Sequence, residues 1–222
     1  RKNNMSKEFI DTVHGVYSYH PKKLFTGFKK INTGVAFRLL TDVVEILSNH
    51  SIDHCLMFGT LLGAIREGGL IAHDEDVDIF IRESDSIKLI NVLFKMRELE
   101  INVVRYDGSI LSVMRDGEYI DFYIFSNINN NRLRCQQYIY DKYYFNEFVE
   151  MKMKGYIFNV PKYSELLLGV IYGEDWRIPK VGKHAMANSF RSKAYRKIVR
   201  IMKNTLPVSI FLFLKNLVKA IQ

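Results

Sequence analysis

Acidic residues are missing from the last part of the chain. From Trp176 to Gln222 there is no Asp or Glu, against eleven Lys and Arg. The formal net charge of +8 therefore describes the tail and not the body. The first 175 residues hold 21 basic and 24 acidic side chains, a balance of −3. A nucleic-acid binder carries its basic stripe across the folded body, so this distribution argues against nucleic acid as a partner. Cysteine is nearly absent as well. Cys55 and Cys135 stand far apart, without Cys-x-x-Cys spacing or a His at ligand spacing. That excludes a disulfide framework and a structural zinc site, and it suits a reducing compartment. The opening residues show no charged-then-apolar leader pattern. No apolar run reaches the ~20 residues that a membrane-spanning helix needs. No internal repeat is visible.

What is present is enough apolar material for one domain with appendages: 222 residues, 48% hydrophobic and 13% aromatic. Residues 1–33 are polar and basic and read as a loosely organised arm. Apolar residues at helical spacing predict a helix over 35–48. A short apolar run predicts a strand at 55–58, followed by a short helix at 61–66. Residues 77–81 read as a buried strand and 84–98 as one helix, capped by Ser84 or Asp85. Three strands are expected at 101–105, 110–115 and 119–125, punctuated by Asp107-Gly108 and Asp116-Gly117. Residues 127–131 read as a polar loop without a packing signal. The Tyr-rich stretch 136–145 is ambiguous between loop and a strand paired with 156–160. A helix over 163–172 follows Pro161. The alternation predicts an α/β (α+β) domain with a sheet.

One run carries chemistry. Residues 59–79 read Gly-Thr-Leu-Leu-Gly-Ala-Ile-Arg-Glu-Gly-Gly-Leu-Ile-Ala-His-Asp-Glu-Asp-Val-Asp-Ile. Strand alternation sends Asp76 and Asp78 to one face. Two adjacent carboxylates repel each other and are stable together around a hard divalent cation such as Mg²⁺, held by oxygen ligands. A solvated acidic turn would explain four acids in five positions, but the apolar Ile79-Phe80-Ile81 follows at once. Gly59 and Thr60 read as a turn offering free N–H groups and a hydroxyl to a phosphate. A metal clamp beside a phosphate cradle describes phosphoryl transfer.

This run resembles the LicD/fukutin family of phosphotransferases. Gly59, Thr60, Leu61, Leu62, Gly63, Ala64, Arg66, Asp74, Asp76 and Asp78 match the family pattern in order; Ala72-His73 stands where the family has Pro-Trp. Glu118-Tyr119-Ile120-Asp121-Phe122-Tyr123 resembles the strand that supplies a third carboxylate. Gly155 to Pro161, Leu167, Tyr172-Gly173-Glu174-Asp175-Trp176 and Pro179 resemble the closing segment. The resemblance implies a nucleotidyltransferase-like mixed sheet flanked by helices, over 34–186. It implies Mg²⁺, with Mn²⁺ as an alternative, on Asp76, Asp78 and Asp121, with Asp121 also accepting the proton of an attacking hydroxyl. It implies donor contacts from Gly59, Thr60 and Arg66. Tyr172 and Trp176 are candidates for an aromatic face beneath a base or a quaternary ammonium. His73, Lys183 and His184 are weaker candidates, since each has an ordinary packing or solvent role.

The activity implied is transfer of a phospho-alcohol from a CDP-activated donor to a sugar hydroxyl of a surface glycan or its lipid-linked precursor. Phosphocholine is favoured over glycerol phosphate and ribitol phosphate. Two other readings stay open. One is a nucleotidyltransferase acting on a small molecule; the other is a non-enzymatic membrane or nucleic-acid binding module. The tail, 187–222, reads as two helices, 191–203 with a basic face and 208–221 with an apolar one. Together they suit an anionic membrane surface, which implies a cytoplasmic protein held peripherally at the inner face of the membrane.

Overall fold

The structure is a computed structural model and describes residues 6–24 and 30–179. The tail helices expected beyond residue 186 lie outside the described residues. The chain forms two compact units, Arg1–Leu168 and Gly169–Gln222.

The elements of the first unit follow in order. A hairpin of β1 (Glu8–Thr12) and β2 (Gly15–Tyr19) precedes α1 (Thr33–Asn49). Then come β3 (His54–Leu56), α2 (Phe58–Glu67) and β4 (Val77–Arg82). A 3-10 turn leads into α3 (Ser86–Asn91) and α4 (Leu93–Glu98). Next are β5 (Asn102–Tyr106), β6 (Ile110–Arg115), β7 (Glu118–Asn129), β8 (Arg132–Cys135) and β9 (Tyr138–Asp141). The hairpin β10 (Phe148–Met153) and β11 (Tyr156–Pro161) leads to α5 (Ser164–Tyr172), which straddles the boundary between the units.

The central sheet has the order β3-β4-β7-β6-β5, with β8 pairing β7 and β9 pairing β8. It is mixed: β4 and β7 run parallel, whereas β3–β4, β7–β6 and β6–β5 are antiparallel. Central strands buried on both faces read as continuous apolar runs, and Val77 to Ile81 are all buried. Helix α1 starts where the Asn32 side chain accepts the Val35 N–H at 3.2 Å. Its eight buried apolar residues, Ala36 to Leu47, form one face, and it packs on β7. Helix α2 packs on β4.

Four local expectations are corrected. The described part of the arm, 6–24 and 30–33, is not loose. It carries the β1–β2 hairpin, in which Tyr17 is fully buried. The Arg97 guanidinium lies 3.6 Å over the Tyr17 ring, and its Nη2 donates to the Ser18 carbonyl. The polar majority of the hairpin hid three inward residues, Ile10, Tyr17 and Tyr19. Replacing Tyr17 with Ala is expected to lower the unfolding free energy by about 3 kcal/mol, read by urea denaturation; a loosely attached arm would leave the midpoint unchanged. The helix over 84–98 is broken at Val92, whose φ of −90° and ψ of 0° separate α3 from α4. Asp85 caps nothing with its side chain and instead pairs with Lys88 at 2.7 Å. Residues 127–131 are not an unpacked loop, because β7 runs on to Asn129 and turns into β8. The Tyr-rich stretch supplies β9, paired to β8, while 156–160 pairs with β10.

Candidate active site

The register of the sheet builds one polar row. Asp78 on β4 stands opposite Asp121 on β7, Asp121 opposite Ser112 on β6, and Ser112 opposite Arg105 on β5. Four residues from four strands thus share one face at one level. The next level on that face is aromatic, with Phe80 opposite Tyr123. The alternating residues Val77, Ile79, Ile120 and Phe122 are buried and point the other way.

The row is hydrogen-bonded at its β5 end. Ser112 Oγ donates to Asp121 Oδ1 at 2.5 Å, and Arg105 Nη2 donates to Asp121 Oδ2 at 2.6 Å. Arg105 Nε donates to Ser112 Oγ at 2.9 Å. At the β4 end the contacts come from α2. Gly59 N–H donates to Asp78 Oδ2 at 3.0 Å, and the Asp78 N–H donates to Thr60 Oγ at 2.8 Å. Asp76 sits one residue before β4, half-buried, where the Tyr119 hydroxyl hydrogen-bonds its carboxylate.

Burial and mutual repulsion make these acids poor carboxylates to ionise. Asp76 is pushed up to about 7, first by loss of water and then by the charges of Asp121 and Asp74. Asp78 is raised well above the usual range by burial and then by Asp76, Asp74 and Asp121. Burial also raises Asp121, although Ser112 and Arg105 pull against it, and it raises Asp74. Four acids thus crowd one end of the sheet with less positive charge than they need.

Gly59 and Thr60 are not a free turn. They lie in the first turn of α2, which begins at Phe58. Their polar groups already serve Asp78, so in this state they hold an acid in place. Gly59 lets Asp74 come close: an added Cβ would sit 2.0 Å from Asp74 Oδ2 and push that carboxylate aside. Phe58 has φ of +42°, the left-handed region that a bulky residue adopts only under constraint. Its ring packs against Tyr123 and Tyr138, with centroids 4.8 and 4.7 Å away. That anchoring holds a strained backbone where the next N–H meets Asp78.

Arg66 is in the last turn of α2, roughly 10 Å along the axis from Gly59, and its Nη2 bonds Glu67 at 2.6 Å. Tyr172 and Trp176 belong to the second unit and are buried. The Arg177 guanidinium lies 4.2 Å over the Trp176 ring, so one face of that indole already has a cation. Lys183 and His184 lie outside the described residues. His73 is exposed, and its charge acts on Asp74. Conversely, Arg105, Ser112, Tyr119, Tyr123 and Tyr138 were missed as site residues. Alternation from Asp121 points to Tyr119 and Tyr123, but nothing in the sequence aligns Ser112 and Arg105 with them.

The donor set suits a hard divalent cation. It offers only oxygen, on buried carboxylates of which Asp121 alone is paired with a cation, Arg105. Among the described residues, no three Asp, Glu, His or Cys side chains stand together in a way that could hold a metal ion as they are placed here. Asp121 is turned toward Ser112 and Arg105.

A family model described as LicD/FKTN/FKRP, nucleotidyltransferase domain, matches residues 51–163, more than half of the chain. The match runs from before β3 through β11 and takes in all four residues of the polar row. An uncharacterized protein of Rickettsia typhi is 30% identical over 118 residues, covering 52% of this chain and 37% of that protein. An uncharacterized protein of Rickettsia prowazekii is 37% identical over 67 residues, covering 30% of this chain and 25% of that protein. The matched part thus spans little more than a third of these relatives' length, or less. The solution structure of the antibiotic-resistance factor ANT(2'')-Ia superposes with a TM-score of 0.51 at 11% identity, covering 78% of this chain and 95% of that one. At that identity the likeness concerns the fold alone.

Proposed function

Because the chain belongs to the LicD/FKTN/FKRP nucleotidyltransferase-domain family, we propose that it is a metal-dependent phosphotransferase. It moves a phospho-alcohol from a CDP-activated donor to a sugar hydroxyl of a surface glycan or its lipid-linked precursor. The observation that carries the reading is the row of buried acids. Asp78 and Asp121 face the same way on adjacent parallel strands, with Asp76 beside them; Arg105 pairs with Asp121 alone, which leaves more acid than base in the row. A structural role for such a group would need partners that neutralise it.

In this reading Asp76 and Asp78 hold Mg²⁺, or Mn²⁺, and Asp121 completes the set. The bound ion supplies positive charge for the diphosphate and for the departing cytidine monophosphate. Asp121 accepts the proton of the sugar hydroxyl as its oxygen bonds to the phosphorus that carries the alcohol. The bond from that phosphorus to the cytidine monophosphate oxygen breaks, and cytidine monophosphate leaves. Ser112 and Arg105 orient the Asp121 carboxylate for this task. Gly59 and Thr60 fix Asp78, and through it the position of the donor. Phe58, Tyr123 and Tyr138 close an aromatic side around the acids and reduce access of water, which would otherwise compete as acceptor.

Phosphocholine remains the favoured group. A quaternary ammonium wants aromatic rings beside negative charge, and Tyr123 and Tyr138 stand close enough to Asp78 to feel its charge. They suit that role better than Trp176, which Arg177 covers. Incubation with CDP-choline, CDP-glycerol and CDP-ribitol plus Mg²⁺ tests the reading. Release of cytidine monophosphate is expected from at least one, and from CDP-choline fastest. Release from none, together with nucleotide attached to the acceptor by mass, would replace it with nucleotidyl transfer.

The tail, though outside the described residues, is proposed to hold the enzyme at the inner face of the cytoplasmic membrane. Among the described residues no helix is long and apolar enough to cross a membrane. Deleting 191–222 is expected to reduce co-sedimentation with anionic vesicles about tenfold while sparing transfer to a soluble acceptor. Equal co-sedimentation of the two chains would refute it.

A further inference from the structure

We infer that Arg105 is an anion-binding residue of the site, contacting a phosphate oxygen of the bound donor. The inference rests on the proposed function and adds a contact that the sequence motif does not contain. Its main support is an irregularity of β5. Val103 pairs with Val113, but Arg105, not Val104, pairs with Ser112. One extra residue is therefore accommodated at Val104, a β-bulge. In a regular ladder Val104 would stand opposite Ser112, and Arg105 would stand opposite Leu111 on the other face. The bulge turns Arg105 onto the face of the acids. Bulges next to active sites commonly re-aim a side chain in this way.

The aim is held by two bonds and leaves donors over. Arg105 uses Nε on Ser112 and Nη2 on Asp121. Nη1 donates to no described residue, and the side chain keeps 37% of its exposure. A guanidinium pinned along one edge presents the remaining N–H groups in a fixed direction, which suits recognition of phosphate oxygens.

Charge distribution supports the same assignment. Acids stand on β4 and β7, and the cation stands on β5, two strands from Asp121 in the same row. A diphosphate would be repelled by the acids crowded at this end of the sheet, which outnumber the one cation of the row. Lys22 lies on the same side. Its N–H donates to the Val104 carbonyl at the bulge, and its Nζ reaches Met114 Sδ at 3.7 Å. The positive end of the row therefore lies beyond Asp121, where the charge of the donor's phosphates would otherwise have no partner.

The test is calorimetric binding of inorganic pyrophosphate with Mg²⁺ to the full chain, for wild type, Arg105→Gln and Arg105→Lys. Binding of Mg²⁺ alone is measured in parallel. Wild type is expected to bind pyrophosphate, and Arg105→Gln to bind it at least about tenfold more weakly, the scale of a lost charged hydrogen bond. Arg105→Lys keeps the charge but not the fork, and is expected to fall between them. If Arg105 only positions Asp121, the Gln variant changes Mg²⁺ affinity but binds pyrophosphate within twofold of wild type, and the inference is overturned. Wild type that fails to bind pyrophosphate overturns it too. Should Arg105→Gln fail to fold, the Lys variant decides alone: pyrophosphate affinity within twofold of wild type rejects the inference, and a loss of threefold or more supports it. Tight pyrophosphate binding that depends on Arg105, with no CDP-alcohol turned over, would instead reject the proposed function and leave the assignment of Arg105 standing.

Discussion

Asp76→Asn is expected to remove transfer while making the metal-free protein more stable. The activity should drop by roughly a thousandfold, the upper scale for losing one preorganised electrostatic partner of the reaction. Stability should move the other way, because the native carboxyl is hard to ionise. Its value of about 7 in the fold lies above 3.8, the value of a free side chain. Between these the folded state binds the proton more tightly, so stability falls as pH rises from about 4 to about 7 and stays low above that. The Asn variant has no such loss. Its advantage should be absent near pH 4 and reach about 2 kcal/mol at pH 8, allowing for partial exposure. Thermal melts of both proteins with chelator across this range provide the measurement. Added Mg²⁺ should raise the melting temperature of wild type more than that of the variant. A variant with activity within tenfold of wild type, or one less stable at pH 8 than at pH 5 relative to wild type, would remove the basis for the metal assignment.

Gly63→Ala should be the most destabilising small substitution among the glycines at 59, 63, 68 and 69. In an open helix the change would help by about 1 kcal/mol. Here an added Cβ would lie 2.5 Å from the Gly69 carbonyl oxygen and 3.0 Å from Ile71 Cγ1. The obstacle is backbone, so relief requires moving the segment that links α2 to the acids. Gly68, in the left-handed conformation with φ of +65°, caps the helix through its N–H to the Gly63 carbonyl. That tight return leaves little room to shift. A net loss of about 2 kcal/mol is expected by urea denaturation. Gly59→Ala meets only the movable end of Asp74 and should cost less stability but more activity. A Gly63→Ala variant as stable as wild type would show that the return can relax.

The part of the site legible in the sequence was the part governed by alternation. Strand alternation placed Asp76 and Asp78 on one face and the family resemblance pointed to Asp121; the register puts Asp78 and Asp121 in one row. The family resemblance joined β4 to β7, which periodicity alone could not. What escaped was set by contacts between distant segments. Tyr17 is one buried residue in a polar arm, so its neighbours gave no pattern; its partner Arg97 lies eighty residues later. The extension of β7 past Phe125 is exposed and polar, and only pairing with β8 makes it a strand. Gly59 and Thr60 looked like a turn because a glycine beside a hydroxyl usually is one; an unusual φ at Phe58 starts the helix instead. The bulge at Val104 defeats alternation outright, since it shifts every later residue of β5 to the opposite face.

The parallel pairing of β4 with β7 also bears on the order of events during folding. Two parallel neighbours cannot form as a hairpin; the chain must leave Arg82, pass through α3, α4, β5 and β6, and return before Asp78 meets Asp121. Such non-local contacts form slowly, because loop closure precedes any gain from the pairing. The β5–β6–β7 meander is local and can assemble early, with Arg105 already bonded to Asp121. The β3–α2–β4 segment can form separately and bring Asp78 with Gly59. The acid pair then comes into being at the docking of two preassembled halves, against its own repulsion. The proposed cation, if bound at that seam, would act as a bolt. It is expected to slow the separation of the halves far more than it speeds their meeting, so its absence should appear first as faster unfolding.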